Sequence, residues 1–503
     1  MRECITLLIG QAGIQIGETF WDIIRAEHGI ESDGHLDQQH KNRNENEILA
    51  TMFNETSRNG YYVPRTVMVD NDPSVIDQIV SGPKGKNLFS SRMTVTGKED
   101  AANNFSRGFY TLSSKLLSPT IDIIRKSVEL CDSFQGFLMF NSFGGGTGSG
   151  FSARLIDQLE TQFNHCDHRQ QRLEFNVFPS PKLSTAIVEP YNALFRTHHS
   201  LIRSNLMFLF DNEACYDICQ RQLNLDRVHY SHINQLISLV ASSVTSSTRF
   251  GGPLNVDLAE FETNLVPYPR IHFPSASYAP ISNPCCQPYD QSIKTLTQFC
   301  FESKNRMIKY NSSATLHQSK QQQQQSKQEN GKYITSCLLY RGDCQPKEIN
   351  QAMIDLKRQE NFVNWSPTGM KCGIASEPPK MLDDIGQTNR SVCLLSNHTG
   401  MIECWRLLCR KFDLMYNKRA FVHWYVSEGM EETEFQEARE DLECLIEDYM
   451  GIERSSEITN TTTTKSFDTN DNDTEIINGD ITTATINGHH EHHYDDHDEK
   501  QQW

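Results

Sequence analysis

At 503 residues the chain is too long for one ordinary core, and its formal net charge is −17, from 47 Lys and Arg against 64 Asp and Glu. This acidic balance excludes an overall electrostatic match to nucleic acid or to an anionic membrane. The 15 cysteines have no repeating spacing, which argues against a disulfide framework or a zinc site, and no apolar run is long enough to span a membrane.

The first predicted strand leads into a stretch punctuated by glycines. Residues 4–9 (CITLLI) form an apolar run too short for a secretory signal, so we predict a strand. Residues 10–17 (GQAGIQIG) are predicted to form a turn, and residues 18–27 a helix. The amide of Gln11 is suited to bonding a sugar or a phosphate, although ordinary turn chemistry explains the same letters.

A second predicted strand, residues 67–69, ends in the carboxylates Asp70 and Asp72. The end of a strand in an open α/β sheet is the usual place for a magnesium ligand. Taken alone, Asp72 before Pro73 is also typical of a helix cap. The polar loop at residues 97–104 has the same two interpretations.

The most informative stretch is GGGTGSG at residues 144–150, directly after the apolar run at residues 136–140. Its glycines let the backbone approach a ligand, and residues 151–160 have helical apolar spacing. A strand, a glycine-rich turn and a helix in this order point backbone N–H groups at one spot, which suits phosphate. A Walker A loop is excluded, because no lysine lies in or near the turn. Residues 148–153 also fit a dinucleotide fingerprint, which leaves an oxidoreductase as one alternative and a flexible linker as another.

Predicted strands alternate with helices through roughly the first 200 residues. This order predicts an α/β fold with a doubly wound parallel sheet, whose ligand lies at the C-terminal ends of the strands. The loops described above would then converge on one site.

Six stretches resemble the tubulin family, and within it alpha-tubulin, from Met1 to about Ile452. They are MREC (1–4), GQAGIQIG (10–17), GKEDAANN (97–104), FNSFGGGTGSGF (140–151), STAIVEPYN (184–192) and DNEACYDIC (211–219). The resemblance implies a Rossmann-like GTP-binding domain at residues 1–211 and an α+β intermediate domain at residues 212–397. It further implies C-terminal helices at residues 398–452, followed by a tail at residues 453–503.

The resemblance also implies a site for GTP and Mg²⁺. Its contacting residues would be Gln11, Asp72, Ser142, Gly146, Thr147, Thr185, Asn212, Tyr230 and Asn234. Tyr230 would stack on the guanine, and Thr147 with the glycine amides would hold phosphates. Asp72 stands where alpha-tubulin has a magnesium-binding glutamate, so its shorter side chain would act as the metal ligand through water.

Residues 254–261 (LNVDLAEF) resemble the alpha-tubulin loop that reaches the nucleotide of the neighbouring subunit in the polymer. A carboxylate at Glu260 can orient or deprotonate the attacking water, whereas the lysine of beta-tubulin at this position cannot accept its proton. The resemblance therefore implies a partner of beta-tubulin in cytoplasmic microtubules that supplies Glu260 as the catalytic residue. Its own GTP would stay unhydrolysed. The alternative for Glu260 is an exposed acid that caps a helix.

Several segments depart from the family pattern. Residues 281–291, in place of the lateral-contact loop, carry two prolines and a cysteine pair. A Gln-rich insert at residues 310–330 and the acidic tail are predicted to be disordered, and His40 replaces an acetylated lysine. The acidic C-terminal helices imply contacts with motors and microtubule-associated proteins. These departures favour an alternative, a specialised tubulin relative that binds GTP and partners without entering ordinary lattices.

Overall fold

The computed structural model describes residues 2–37, 49–56, 60–82, 88–163, 170–225, 227–284, 292–310, 331–366, 368–382 and 384–463. His40, most of the predicted lateral-contact loop, the Gln-rich insert after Tyr310 and the tail beyond Thr463 lie outside these residues. The predictions made for them therefore stay predictions.

Strands and helices alternate along the described chain. The strands are β1 (Glu3–Ile9), β2 (Phe53–Thr56), β3 (Tyr61–Pro64), β4 (Thr66–Asp70), β5 (Thr94–Thr96), β6 (Phe134–Ser142), β7 (Gln171–Phe178), β8 (Leu206–Asp211), β9 (Ser275–Ala279), β10 (Tyr333–Gly342), β11 (Met370–Ala375) and β12 (Arg390–His398). The α-helices are α1 (Gly10–Glu27), α2 (Pro73–Ser81), α3 (Ser113–Glu129), α4 (Ser152–Phe163), α5 (Glu189–Arg203), α6 (Asn212–Leu223), α7 (Tyr230–Arg249), α8 (Leu258–Leu265), α9 (Ile293–Phe301), α10 (Pro346–Gln359), α11 (Met401–Tyr416), α12 (Val422–Val426) and α13 (Thr433–Thr463).

Ten strands form one sheet in the order β11-β10-β12-β9-β8-β7-β6-β1-β4-β5, and β2 pairs separately with β3. Every pairing from β8 to β5 is parallel, so the predicted doubly wound α/β fold is confirmed. The sheet continues past residue 211, because Ser275 of β9 pairs with Leu209 of β8. The domain boundaries at residues 211 and 397 stay predictions.

Helices cover both faces of the parallel half of the sheet. In β1, Cys4 and Leu8 belong to one apolar cluster, while Ile5, Leu7 and Ile9 belong to another. This alternation follows from the two-residue period of a strand. The first cluster includes residues of α1 and α7, and the second includes residues of α3 and α4. Burial on both faces explains why β1, β4 and β8 are mainly apolar runs rather than alternating ones.

One predicted boundary is wrong for a physical reason. Residues 10–17 were expected to form a turn, but α1 begins at Gly10. A Cβ on Gly13 would lie 2.1 Å from the carbonyl oxygen of Phe140. This glycine therefore allows α1 to pack closely on β6, and only Gly10, with φ of +71°, makes the turn.

The C-terminal segment consists of two long helices, α11 and α13, with the short α12 between them. Phe421 has φ of +65°, which separates α11 from the short α12, and α13 continues to Thr463. Arg439 of α13 donates to both carboxylate oxygens of Asp413 of α11, at 2.9 and 3.2 Å. Across the residues described, no helix combines the length and the apolar character needed to cross a membrane.

Candidate functional site

The C-terminal ends of the parallel strands carry most of the predicted site residues. Gln11 follows β1, Asp72 follows β4, Ser142 ends β6 and Asn212 follows β8. Because parallel strands end at the same edge, their loops lie together there. We call this the nucleotide edge of the sheet, and the opposite edge the N-terminal edge.

The glycine turn, residues 143–150, contacts the end of β1 directly. Gly10 has φ of +71°, and a Cβ there would lie 3.0 Å from the backbone nitrogen of Gly148. A Cβ on Gly148 would in turn lie 2.6 Å from Oγ of Ser142. Side chains are excluded at both contacts, so the backbone itself lines the site. Residues Thr147–Phe151 then form a π-helical turn that runs into α4.

Asp70, Asn71 and Thr147 form a buried polar group beside the glycine turn. Nδ2 of Asn71 donates to Oγ1 of Thr147 at 2.9 Å, and the backbone N–H of Asn71 donates to Oδ1 of Asp70 at 2.7 Å. Burial raises the pKa of Asp70 to about 6. The end of this strand was predicted from the sequence to carry the carboxylates Asp70 and Asp72, with Asp72 as the metal ligand, whereas no role was predicted for Asn71.

Asp72 also caps a helix in the structure. It is the N-cap of α2, where its carboxylate accepts the backbone N–H of Ser74 at 3.0 Å and the hydroxyl of Ser74 at 2.7 Å. These hydrogen bonds lower the pKa of Asp72 and keep it ionised. Both interpretations drawn from the sequence, the helix cap and the ionised oxygen ligand, are therefore compatible with its position.

The donor atoms at this corner fit Mg²⁺ bound together with phosphate. Asp70 and Asp72 supply carboxylate oxygens, and Oδ1 of buried Asn71 has no hydrogen-bond partner among the described residues. Over the same residues, no group of three or more His, Cys, Asp or Glu side chains could hold a metal alone. Mg²⁺ commonly takes one or two carboxylates and completes its shell with water and substrate phosphates.

Asn192 of α5 ties the glycine turn to the elements behind it. Its Nδ2 donates to the carbonyl oxygens of Gly144 and Asn103, both at 2.7 Å. Its Oδ1 accepts the backbone N–H of Phe105 at 3.0 Å and the hydroxyl of Tyr425 at 2.7 Å. Asn192 is fully buried, so this one side chain fixes the glycine turn to the buried elements packed behind it. Nothing in the local sequence around Asn192 indicates this role.

Thr185 and Asn212 lie in the loops after β7 and β8. Thr185 is exposed, and its neighbour Ser184 donates to Glu189 at 2.7 Å. Glu189 also lies against the glycine turn, since a Cβ on Gly144 would be 2.6 Å from its Oε1. Asn212 is the half-buried first residue of α6. Both predicted residues are therefore at the nucleotide edge.

Tyr230 and Asn234 lie in the first two turns of α7. Tyr230 is 54% exposed, and its ring centroid is 6.1 Å from that of Tyr216 on α6. Asn234 is half-buried, and Ser238, one turn later, donates to the carbonyl oxygen of Ile16 on α1 at 3.2 Å. An exposed aromatic ring beside a polar amide suits a flat heteroaromatic base.

Glu260 lies apart from this group. It is on α8, where Glu262 accepts a hydrogen bond from Asn205 at 3.1 Å, just before β8 begins. This contact puts α8 at the N-terminal edge. The neighbouring strand β7 has 8 residues, which corresponds to a length of roughly 26 Å. Glu260 is therefore about one strand length from the glycine turn of its own chain.

Comparison with known proteins agrees with this architecture. Residues 3–220 match the family model for the GTPase domain of the Tubulin/FtsZ family, and residues 269–410 match that for the tubulin C-terminal domain. The chain is 47% identical to the tubulin alpha-8 chain of Caenorhabditis elegans, covering 90% of this chain and 97% of that protein. It is 46% identical to the tubulin alpha chain of Zymoseptoria tritici and 47% identical to that of Pneumocystis carinii, each covering 91% of this chain and 98% of the relative.

The parallel strands β1 and β4 to β8, the glycine turn free of lysine and the acidic corner thus all lie within the matched GTPase domain. The chain belongs to the tubulin family, as a GTP-binding subunit similar to alpha-tubulin chains.

Proposed function

We propose that the chain is an alpha-tubulin-like subunit that pairs with beta-tubulin and assembles into cytoplasmic microtubules. The relatives named above are alpha chains matched over nearly their whole length. The observation that carries the proposal is the separation of two functional groups. The glycine turn lies at one edge of the sheet, and Glu260 lies at the other.

This separation suits head-to-tail assembly. A heterologous contact that repeats along an axis brings the N-terminal edge of one subunit against the nucleotide edge of the next. Glu260 would then face a neighbour's nucleotide rather than its own. No conformational change within one chain is needed to bring Glu260 to a nucleotide, because docking of the next subunit places the two groups together.

Exposed apolar side chains at both edges support such contacts. At the nucleotide edge, Leu183, Ile187 and Trp424 are 52%, 73% and 58% exposed. At the N-terminal edge, Tyr268 and Trp365 are 50% and 40% exposed, with ring centroids 6.1 Å apart. Aromatic side chains such as Trp424, Tyr268 and Trp365 are enriched in protein interfaces. Beta-tubulin is proposed as the occupant of both faces.

In this proposal the chain's own GTP is bound but not hydrolysed. The glycine-turn amides, Ser142, Gly146 and Thr147 hold phosphates, Tyr230 stacks on the base, and Gln11, Thr185, Asn212 and Asn234 make the remaining polar contacts. Asp70, Asn71 and Asp72 would hold Mg²⁺, in part through water, and the ion would supply positive charge beside the phosphates. The loop that beta-tubulin would bring to this site carries a lysine in place of the carboxylate that could accept a proton from water.

At the next interface, Glu260 acts on the GTP of beta-tubulin. The oxygen of a water forms a bond to the γ-phosphorus while the bond to the β–γ bridging oxygen breaks, and GDP leaves with that electron pair. Glu260 orients the water and takes one of its protons. The carboxylate side chain is 40% exposed, so a water can reach it before the interface closes.

Co-sedimentation with assembled brain-type microtubules tests the proposal. The chain, purified with beta-tubulin, should enter the pellet at a fixed ratio to total tubulin and should release guanine nucleotide on denaturation. Absence from the pellet at stoichiometric tubulin would instead favour a specialised relative outside ordinary lattices. Release of NAD would revive the oxidoreductase reading. Motors and microtubule-associated proteins are proposed to contact the acidic face of α13.

A further inference from the structure

An ion pair fixes Glu260 at the N-terminal edge. Nζ of Lys371, on β11, lies 2.7 Å from Oε2 of Glu260. The two side chains are 34% and 40% exposed. Oε2 itself has essentially no exposed surface, so the exposure of this side chain comes from its other atoms. One oxygen of Glu260 therefore faces the lysine, and the other, Oε1, lies outside this ion pair.

The backbones that carry the pair are both held in place. Lys371 lies in a strand paired with β10, opposite Cys337. Nearby in β11, the backbone N–H of Ile374 donates to the carbonyl oxygen of Leu254 at 2.8 Å. On α8, Nδ2 of Asn264 donates to the carbonyl oxygen of Glu260 at 2.7 Å. The separation of the two side chains is thus set by the fold rather than by loop motion.

Stability does not explain such a pair. A partly exposed ion pair contributes only about 0–1 kcal/mol, because solvent screens it and two long side chains lose rotamer freedom. The pair matters more for the position of the Glu260 carboxylate, since a displacement of about 1 Å in a reacting group can cost roughly 100-fold in rate. A glutamate on a surface has free rotation about its side-chain bonds unless a partner holds it.

We propose that Lys371 is a positioning residue that holds Oε2 of Glu260, so that Oε1 is presented to the water attacking the neighbouring subunit's GTP. The inference rests on the proposed function of Glu260. In it, the proton of the water goes to Oε1, while Lys371 remains paired with Oε2. Lys371 touches neither substrate nor reacting atoms.

The test uses full-length chain co-purified with beta-tubulin and assembled with GTP. Four variants are compared: Lys371→Met, Lys371→Arg, Glu260→Ala and the control Lys380→Met, which changes another exposed lysine. Phosphate release per incorporated subunit and the critical concentration for assembly are measured separately. A structural role for Lys371 would move the critical concentration, whereas a positioning role moves the hydrolysis rate.

Lys371→Met is expected to slow phosphate release by about 10- to 100-fold with an unchanged critical concentration. Lys371→Arg should restore the rate to within about threefold, since it keeps a cation at the same carboxylate, and Lys380→Met should behave as wild type. If Glu260→Ala abolishes hydrolysis but Lys371→Met does not slow it, the inference is wrong and the proposed function stands. If Glu260→Ala hydrolyses GTP normally, the proposed function itself fails. A raised critical concentration for Lys371→Met with normal hydrolysis per subunit would make Lys371 structural and overturn the inference.

Discussion

Replacing Asn192 by alanine tests whether the glycine turn depends on one buried amide. The side chain makes four hydrogen bonds, to Gly144, Asn103, Phe105 and Tyr425. A buried group left unsatisfied costs about 1–3 kcal/mol, so the lower limit for four groups is roughly 4 kcal/mol. Water entering the space would reduce this figure, but it cannot restore the fixed geometry of the turn. We expect lower stability and faster loss of the chain's GTP.

The assay measures retention of labelled GTP by the purified heterodimer through gel filtration, together with unfolding in urea. Tyr425→Phe is the matched control, because it removes only the hydroxyl that donates to Asn192 at 2.7 Å. The control should lose about 1 kcal/mol and release GTP less than tenfold faster. Asn192→Ala should release GTP well over tenfold faster. Equal retention by Asn192→Ala and wild type would refute the role given to this residue.

Three further predictions concern other parts of the molecule. Burial disfavours the charged form of Glu27, but Arg249 and Arg341 outweigh it and hold its pKa at about 2. This lowered pKa stabilises the fold above about pH 4.5, and the contribution should be lost as the pH falls toward 2. In urea unfolding, Glu27→Gln should be less stable than wild type at neutral pH, and its free energy of unfolding should fall less steeply as the pH is lowered. Asp70→Asn removes a buried carboxylate at the Mg²⁺ corner, so it should weaken Mg²⁺-dependent GTP retention about tenfold or more, whereas retention measured in EDTA should change little. Trp424→Ala removes an exposed ring at the nucleotide edge and should weaken association with beta-tubulin by about 2 kcal/mol or more in sedimentation, while Leu130→Ala, which removes another exposed apolar residue, should not.

Local features of the chain were predictable, because their causes lie within a few residues. The strand before the glycine turn is marked by the apolar run at residues 136–140, and the helix after it has regular apolar spacing. The start of α1 was mistaken for a turn because glycines suit both turns and close packing. The spacing of Gly13 and Gly17 was the missed signal, since residues four apart share one helix face.

The supporting residues of the site could not be inferred in the same way. Asn192 acts through Phe105 and Tyr425, and Lys371 acts on Glu260, each across a long stretch of chain. No local spacing encodes such contacts, which depend on how the sheet and helices pack. Asp70 is different, because the sequence itself places it with Asp72 at the end of a predicted strand. Its burial, which raises its pKa to about 6, becomes visible only once the strands on both sides are in place.

The distance between the glycine turn and Glu260 has a consequence for the timing of hydrolysis. A general base acts only within hydrogen-bond reach of its water, about 3 Å, or through one water. Glu260 is separated from its own chain's nucleotide edge by about one strand length, roughly 26 Å, so it cannot act on the GTP of its own chain. It reaches a GTP only when the N-terminal edge docks on the beta-tubulin of a neighbouring dimer. In the proposed function, hydrolysis therefore follows assembly as a matter of geometry, and Lys371 ensures that the carboxylate which arrives is already oriented.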